Sequence, residues 1–347
     1  MGKQRLLVQV NIAAFEYGLP GVEERQKYRQ ALQNEIASAA DYAEDYAIEA
    51  LYLTGPAPLQ YPNEALIEII DNLKNIFTFL PAAEINLYAL PGSVTYGDLR
   101  PLHAHGLNRI RFGMHTFVQS ELDALNRTYA PRAMEVFMRM VQLKLVFFNY
   151  DVTLYYGLPG QTPDSLRFSI EQAIRFMATH ITLLPYPSSA TGDLSSYYAE
   201  GVKMITSMGL EQYTPLHFAR KDYTSVWDRL TYSPQARLGM GYGAVSQVDG
   251  MVIQNVKDVN AFMAAGGDPE ATILHAQPLT QTDIETGLLL NALFNLQACD
   301  VQPFADALKQ KVNECRESGY LVGDDEVVQL TDAGKTHWRT VVGCIQA

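Results

Sequence analysis

An α/β fold, a partial and open (β/α)6 barrel of TIM-like type, is predicted for residues 1–190 by three features of the sequence. Apolar runs of strand length alternate with amphipathic runs of helix length about six times, which implies parallel strands joined by right-handed crossovers. The clearest unit begins at Phe147-Phe148-Asn149-Tyr150-Asp151-Val152, an apolar and aromatic run suited to a buried strand. It ends in Gly157-Leu158-Pro159-Gly160, where neither a strand nor a helix interior continues. Thr162-Pro163-Asp164 then reads as an N-cap with proline in the first turn, opening a helix over 165–177. Finally, polar residues gather in the turns after the strands, the end where such folds place their ligand site. Six units rather than eight predict an open barrel.

Taken in order, the strands are expected at 5–12, 48–53, 84–90, 109–115, the run through Tyr156, and 180–186. Helices are expected over 23–43, 63–77, 96–104, 120–126 and 131–142. The stripes Tyr28, Leu32, Ile36 and Leu66, Ile69, Ile70, Leu73 give two of these a core-facing side. After residue 190 the alternation fades. An extension over 191–279 carries one helix, 194–208, and an aromatic, glycine-rich stretch over 213–250. Its Gly239-Met240-Gly241-Tyr242-Gly243 is only superficially a dinucleotide loop, because no strand-to-helix context is visible around it. Residues 280–347 read as a winged-helix-like module: helices over 283–296 and 301–318, a short hairpin at 319–330 and a last helix over 331–344.

The net charge of −12 argues against nucleic acid or an anionic membrane as partner. No apolar run is long enough to span a bilayer and no signal-peptide pattern follows Met1, so a cytoplasmic location is expected. Cys299, Cys315 and Cys344 are the only cysteines, an odd number without metal-binding spacing, and read as structural thiols.

Several stretches carry a family resemblance. Gly106-Leu107-Asn108-Arg109-Ile110-Arg111-Phe112-Gly113-Met114-His115-Thr116-Phe117 is similar to G-V-N-R-(I/L)-S-(I/L)-G-V-Q-S-F. Residues 151–162 resemble D-L-I-Y-G-L-P-G-Q-T, and 84–93 resemble E-(I/V)-(T/S)-(I/L)-E-(A/C)-N-P-G-(T/S). Tyr28 to Ile36 fits Y-x-x-x-L-x-x-E-I, and Leu238 to Ser246 fits G-x-G-x-(G/S)-A-x-S. Together, and in this order, they resemble the radical S-adenosylmethionine family of oxygen-independent coproporphyrinogen III oxidases and haem chaperones. The resemblance implies a radical SAM-type barrel.

Active members of that family hold a four-iron cluster on C-x-x-x-C-x-x-C, whose soft thiolates the iron requires. Here the matching positions are Phe15, Leu19 and Val22, and no cysteine precedes Cys299. The resemblance therefore implies a degenerate member: no 4Fe–4S cluster is expected, nor S-adenosylmethionine cleavage. The turn that receives the methionine part of the cofactor is Thr54-Gly55-Pro56-Ala57-Pro58, in which the prolines lack backbone donors. Tyr88 replaces the acidic residue of E-A-N-P, Leu90 its Asn, and His115 the Gln of Q-S-F.

The candidate ligand residues at the strand carboxyl ends are Thr54, Gly55, Tyr88, His115, Arg127, Asp151, Tyr155 and Gln161. Arg127 suits a carboxylate in a bidentate pair, such as a tetrapyrrole propionate; alternatively Arg127 and Asp151 are an ion pair that supports the fold. His115 is a candidate haem ligand or a satisfied core histidine, and His180 and His217 stand similarly. His103 and His105 do not share a helix face and read as surface histidines. No residues are assigned to catalysis. Three readings remain: a non-catalytic binder of haem, porphyrin or a partner protein; an enzyme with cluster-independent chemistry on a tetrapyrrole; or a structural subunit of an active homologue. A homodimer is compatible with each.

Overall fold

In the computed structural model, which describes residues 2–13, 22–55, 61–91, 96–127, 149–187 and 194–347, strand and helix alternate as expected. The order runs β1 (Gln4–Asn11), α1 (Val22–Ser38), β2 (Tyr46–Thr54), α2 (Asn63–Ile76), β3 (Thr78–Ala89), α3 (Tyr96–Ala104), β4 (Arg109–His115) and α4 (Gln119–Ala124). It continues with β5 (Tyr150–Tyr156), a helix Pro163–Arg175, β6 (His180–Pro185) and a helix Leu194–Ser207. Shorter strands follow: β7 (Glu211–Gln212), β8 (His217–Ala219), β9 (Arg237–Met240), β10 (Val245–Val248), β11 (Met251–Asn255) and β12 (Ile273–Pro278). The helix expected over 131–142 and the start of the run at Phe147 lie outside the described residues.

The described residues fall into two units that interleave along the chain. The first takes residues up to 112 and 235–279. Its sheet order is β12-β11-β10-β9-β1-β2-β3-β4. From β9 through β1, β2 and β3 to β4 every pairing is parallel. From β9 to β12 every pairing is antiparallel. The parallel expectation, made for residues 1–190, holds for β1 to β4, and the antiparallel edge is an addition to it. β9 to β12 lie in a stretch where the sequence predicts no strand. β9 leads into the Gly239–Gly243 loop, but an antiparallel strand follows rather than a helix, which sets it apart from a dinucleotide fold.

Strands of the parallel centre are apolar on both faces: Leu6, Leu7, Val8 and Val10 are fully buried. α2 covers one face with Leu66, Ile69, Ile70 and Leu73, each contributing roughly 1.5–3 kcal/mol by burial. β3 starts six residues before the sequence suggests. Pro81 interrupts its ladder, so the register jumps from Ile48↔Phe79 to Ala50↔Glu84, and only the part after the bulge looks like a strand.

The second unit takes residues 113–127, 149–187, 194–234 and 280–347. β5 and β6 pair in parallel from Asp151↔His180 to Tyr156↔Pro185. Antiparallel β8 and β7 extend them. The Pro163–Arg175 helix opens as expected, with Thr162 accepting the Ser165 amide in a capping box and Pro163 in the first turn. At the C-terminal end, helices Gln281–Phe294, Asp306–Glu317, Asp332–Thr336 and Trp338–Gln346 surround β13 (Cys299–Asp300), β14 (Leu321–Gly323) and β15 (Val327–Leu330). These strands form a separate sheet of order β13-β15-β14. Leu289, Phe294, Leu308, Val312, Trp338 and Val341 fill its core. The single last helix expected from sequence breaks in two at His337.

Candidate ligand site

The second unit gathers three aromatic rings at the carboxyl ends of β4, β5 and β6. His115 stacks on Tyr155 with ring centroids 4.7 Å apart and planes 7° from parallel. Tyr186 meets Tyr155 edge-on at 5.9 Å. Tyr155 and Tyr186 are half-buried, whereas His115 is only 2% exposed. The His115 backbone adopts φ +63°, a conformation uncommon outside glycine that turns the chain sharply at the strand end. Burial, reinforced by the Arg127 charge, pushes the imidazole down to about 3, so it is neutral at ordinary pH. Arg127 is half-buried, and its Nε has no hydrogen-bond partner among the described residues.

Gln161 closes the turn beneath these rings. Its Oε1 accepts the Gly157 amide at 2.7 Å, while its Nε2 donates to the Tyr155 carbonyl at 3.1 Å. The turn is thus tied to the strand it leaves, and Gln161 acts on Tyr155 through the backbone. Tyr197 donates to the Gln161 carbonyl at 2.8 Å. Glu121 in α4 is a residue that sequence reasoning misses. It is 2% exposed and accepts from Thr116 Oγ1 at 2.5 Å, from the Ser165 hydroxyl, and at 3.5 Å from Gln161 Nε2. One carboxylate therefore binds the segment after His115 to the first turn of the Pro163–Arg175 helix.

Asp151 sits at the other end of β5, fully buried. Thr182 Oγ1 donates to its Oδ2 at 2.8 Å, and His180 Nδ1 lies 3.0 Å from its Oδ1, off the hydrogen-bond direction. The contacts run on from His180 Nε2 to Tyr213 Oη, 2.6 Å away, and from Tyr213 Oη to Asp228 Oδ2 at 3.0 Å. His217 Nδ1 pairs with Thr214 Oγ1 at 2.8 Å. His180 and His217 are core histidines with polar partners.

In the first unit Thr54 and Gly55 follow β2. The Thr54 carbonyl accepts the Ile12 amide at 2.7 Å. Gly55 has φ +138°, and a Cβ there would lie 2.0 Å from the Ile12 carbonyl oxygen, so only glycine fits. Tyr88 pairs with Arg111 in the β3–β4 register. Two of the resembling stretches meet in this unit, where Glu35 Oε2 accepts the Gly241 amide at 2.7 Å; Tyr28 donates to the Asn11 carbonyl at 2.5 Å. His103 and His105 go separate ways, to the Leu107 carbonyl and to Asp71.

Phe15 and Leu19 lie outside the described residues, as do Pro56, Ala57 and Pro58, and only the backbone of Val22 is described. The three thiols lie far along the chain, Cys299 in β13 and the others in the Asp306–Glu317 and Trp338–Gln346 helices. Burial pushes Cys299 up to about 11, and burial with the neighbouring Cys344 raises Cys315 further. This donor set does not fit a cluster bound by three thiolates on one loop. Among the described residues no group of three or more His, Cys, Asp or Glu suits a metal ion, and no helix is long and apolar enough to cross a membrane.

No family model matches the chain. The solved structure of coproporphyrinogen III oxidase (HemN) from Escherichia coli, a radical SAM enzyme, covers 99% of this chain and 90% of its own with a TM-score of 0.80 at 19% identity. The fold is thus that of a radical SAM protein. Heme chaperone HemW from Escherichia coli (strain K12) is 23% identical over 92% of this chain and 89% of its own. Oxygen-independent coproporphyrinogen III oxidase from Salmonella typhimurium is 22% identical over 92% of this chain and 79% of its own. The chain is homologous to the HemW/HemN family of haem chaperones and coproporphyrinogen oxidases.

Proposed function

We propose that this chain is a cluster-less relative of those proteins, acting by binding a tetrapyrrole, haem or coproporphyrin, in its second unit. The observation that carries the proposal is the aromatic group His115–Tyr155–Tyr186 at the strand ends, with the Arg127 guanidinium close enough to act on His115 through its charge. A flat macrocycle gains from stacking on such rings, and its propionates pair with a guanidinium in a bidentate geometry. His115, buried and held neutral, backs Tyr155 and keeps that ring in place. Apolar residues at 15, 19 and 22, with no cysteine before 299, support a function without radical chemistry.

The test is titration with haem and with coproporphyrin, followed by absorbance. A Soret shift that saturates at one equivalent, weakened at least tenfold in Tyr155→Ala and in Arg127→Ala, is the expected result. No shift, or a shift that both variants leave unchanged, overturns it. The structural-subunit reading then gains, and co-purification with an active homologue examines that directly.

A further inference from the structure

The first unit contains a cavity of about 380 Å³ that the tetrapyrrole proposal does not use. It lies against the end of α1 and the short turn after it, with β9, β10 and β11 on its other walls. Leu238, Ile253 and Pro269 supply apolar lining, while Glu35, Asp41 and Asp249 bring carboxylates. Tyr42 is the remaining titratable group, and among the described residues no lysine, arginine or histidine lines the cavity.

Glu35 differs from an ordinary surface acid because the fold fixes it. Its Oε2 accepts the Gly241 amide at 2.7 Å and its Oε1 accepts Asn255 Nδ2 at 2.6 Å, so both oxygens are held at the cavity wall. Each keeps a lone-pair site beyond these bonds. Two neutral donors compensate only in part the negative charge of a half-buried carboxylate. The cost shows in its titration: burial pushes Glu35 up to about 7, partly offset by those two bonds. A positive charge delivered into the cavity removes that cost. A bare metal ion suits the space poorly, because among the described residues Glu35, Asp41 and Asp249 do not group closely enough to hold one, and Leu238, Ile253 and Pro269 line the same space.

We propose that this cavity is a binding site for a small organic cation, an ammonium group on an apolar stem, with Glu35 as its counter-ion. The ammonium pairs with the Glu35 carboxylate and the stem lies along Leu238 and Ile253. The site is independent of the tetrapyrrole proposal and stands or falls separately.

Calorimetry on the full chain with hexylamine, 1-hexanol and calcium chloride tests it. At about pH 8 hexylammonium is expected to bind at least tenfold more tightly than hexanol, since only the ammonium brings a charge to the half-buried carboxylate. Calcium alone is expected not to bind. Glu35→Gln should cut the preference for the amine to about twofold while circular dichroism remains that of the parent. Lowering the pH to about 5.5, where Glu35 is protonated and hexylamine remains charged, should weaken amine binding at least fivefold. Equal affinity for amine and alcohol in the unmodified protein, calcium binding at the same site, or no amine binding at all overturns the proposal without any variant having to fold.

Discussion

Glu35 in the first unit and His115 in the second meet the same physical problem with opposite charges. Burial drives both toward their neutral forms, the carboxyl up to about 7 and the imidazole down to about 3. Their neighbours make the difference. The Gly241 amide and Asn255 donate to Glu35 and pull it partly back, whereas the Arg127 charge adds to the burial of His115. Glu35 is left close to neutrality, where a bound cation or a modest pH change alters its charge. His115 is fixed as a neutral ring. The same loss of water thus yields a responsive group in one place and a permanently neutral ring in the other, according to whether adjacent groups oppose or assist desolvation.

The largest expected effect tests the His115 half of this contrast. Its folded value lies below its unfolded value of about 6.5, so its contribution is complete above that pH and disappears as pH falls toward 3. Urea denaturation across this range should show a loss approaching roughly 4 kcal/mol, at about 1.4 kcal/mol for each tenfold difference in proton affinity between the folded and unfolded chain. His115→Asn, which tolerates the positive φ, should remove most of that slope. The Glu35 half runs the other way. Its folded value is raised, so its contribution is complete below about 4.5 and is lost as pH rises through 7. That loss is at most about 3.5 kcal/mol, and Glu35→Gln should flatten it. If both variants change the same limb of the pH profile, the comparison fails.

Smaller effects sharpen the local picture. Glu121→Ala leaves the Thr116 and Ser165 hydroxyls without their buried acceptor and should cost about 2 kcal/mol by chemical denaturation. Thr162→Ala removes a helix cap and should cost about 1 kcal/mol by the same measurement.

What the sequence reveals follows the range of the forces involved. The parallel strands and the Thr162-Pro163 helix start are legible because apolar periodicity and capping are written in adjacent residues. β9 to β12 are not: each is four to six residues long, and glycines 239, 241 and 243 mask the pattern. The apolar stripe of α1 is visible, but the role of Glu35 is not, because its partners Gly241 and Asn255 lie 206 and 220 residues away. Glu121 does not stand out in the sequence for the same reason, since Ser165 is 44 residues distant. His115 stands out by its position at a strand end, while its stack on Tyr155 and its positive φ emerge only from the fold.

The fold is that of a radical SAM protein, while the loss of its cluster is a proposal that rests on the absence of cysteine before residue 299. Anaerobic reconstitution with ferrous iron and sulfide, followed by desalting and iron and sulfide assay, tests it most directly. Protein without the broad brown absorbance of a four-iron cluster, and with iron far below stoichiometric, is the expected result. Four irons and four sulfides retained per chain, or reductive cleavage of S-adenosylmethionine by the product, would contradict it.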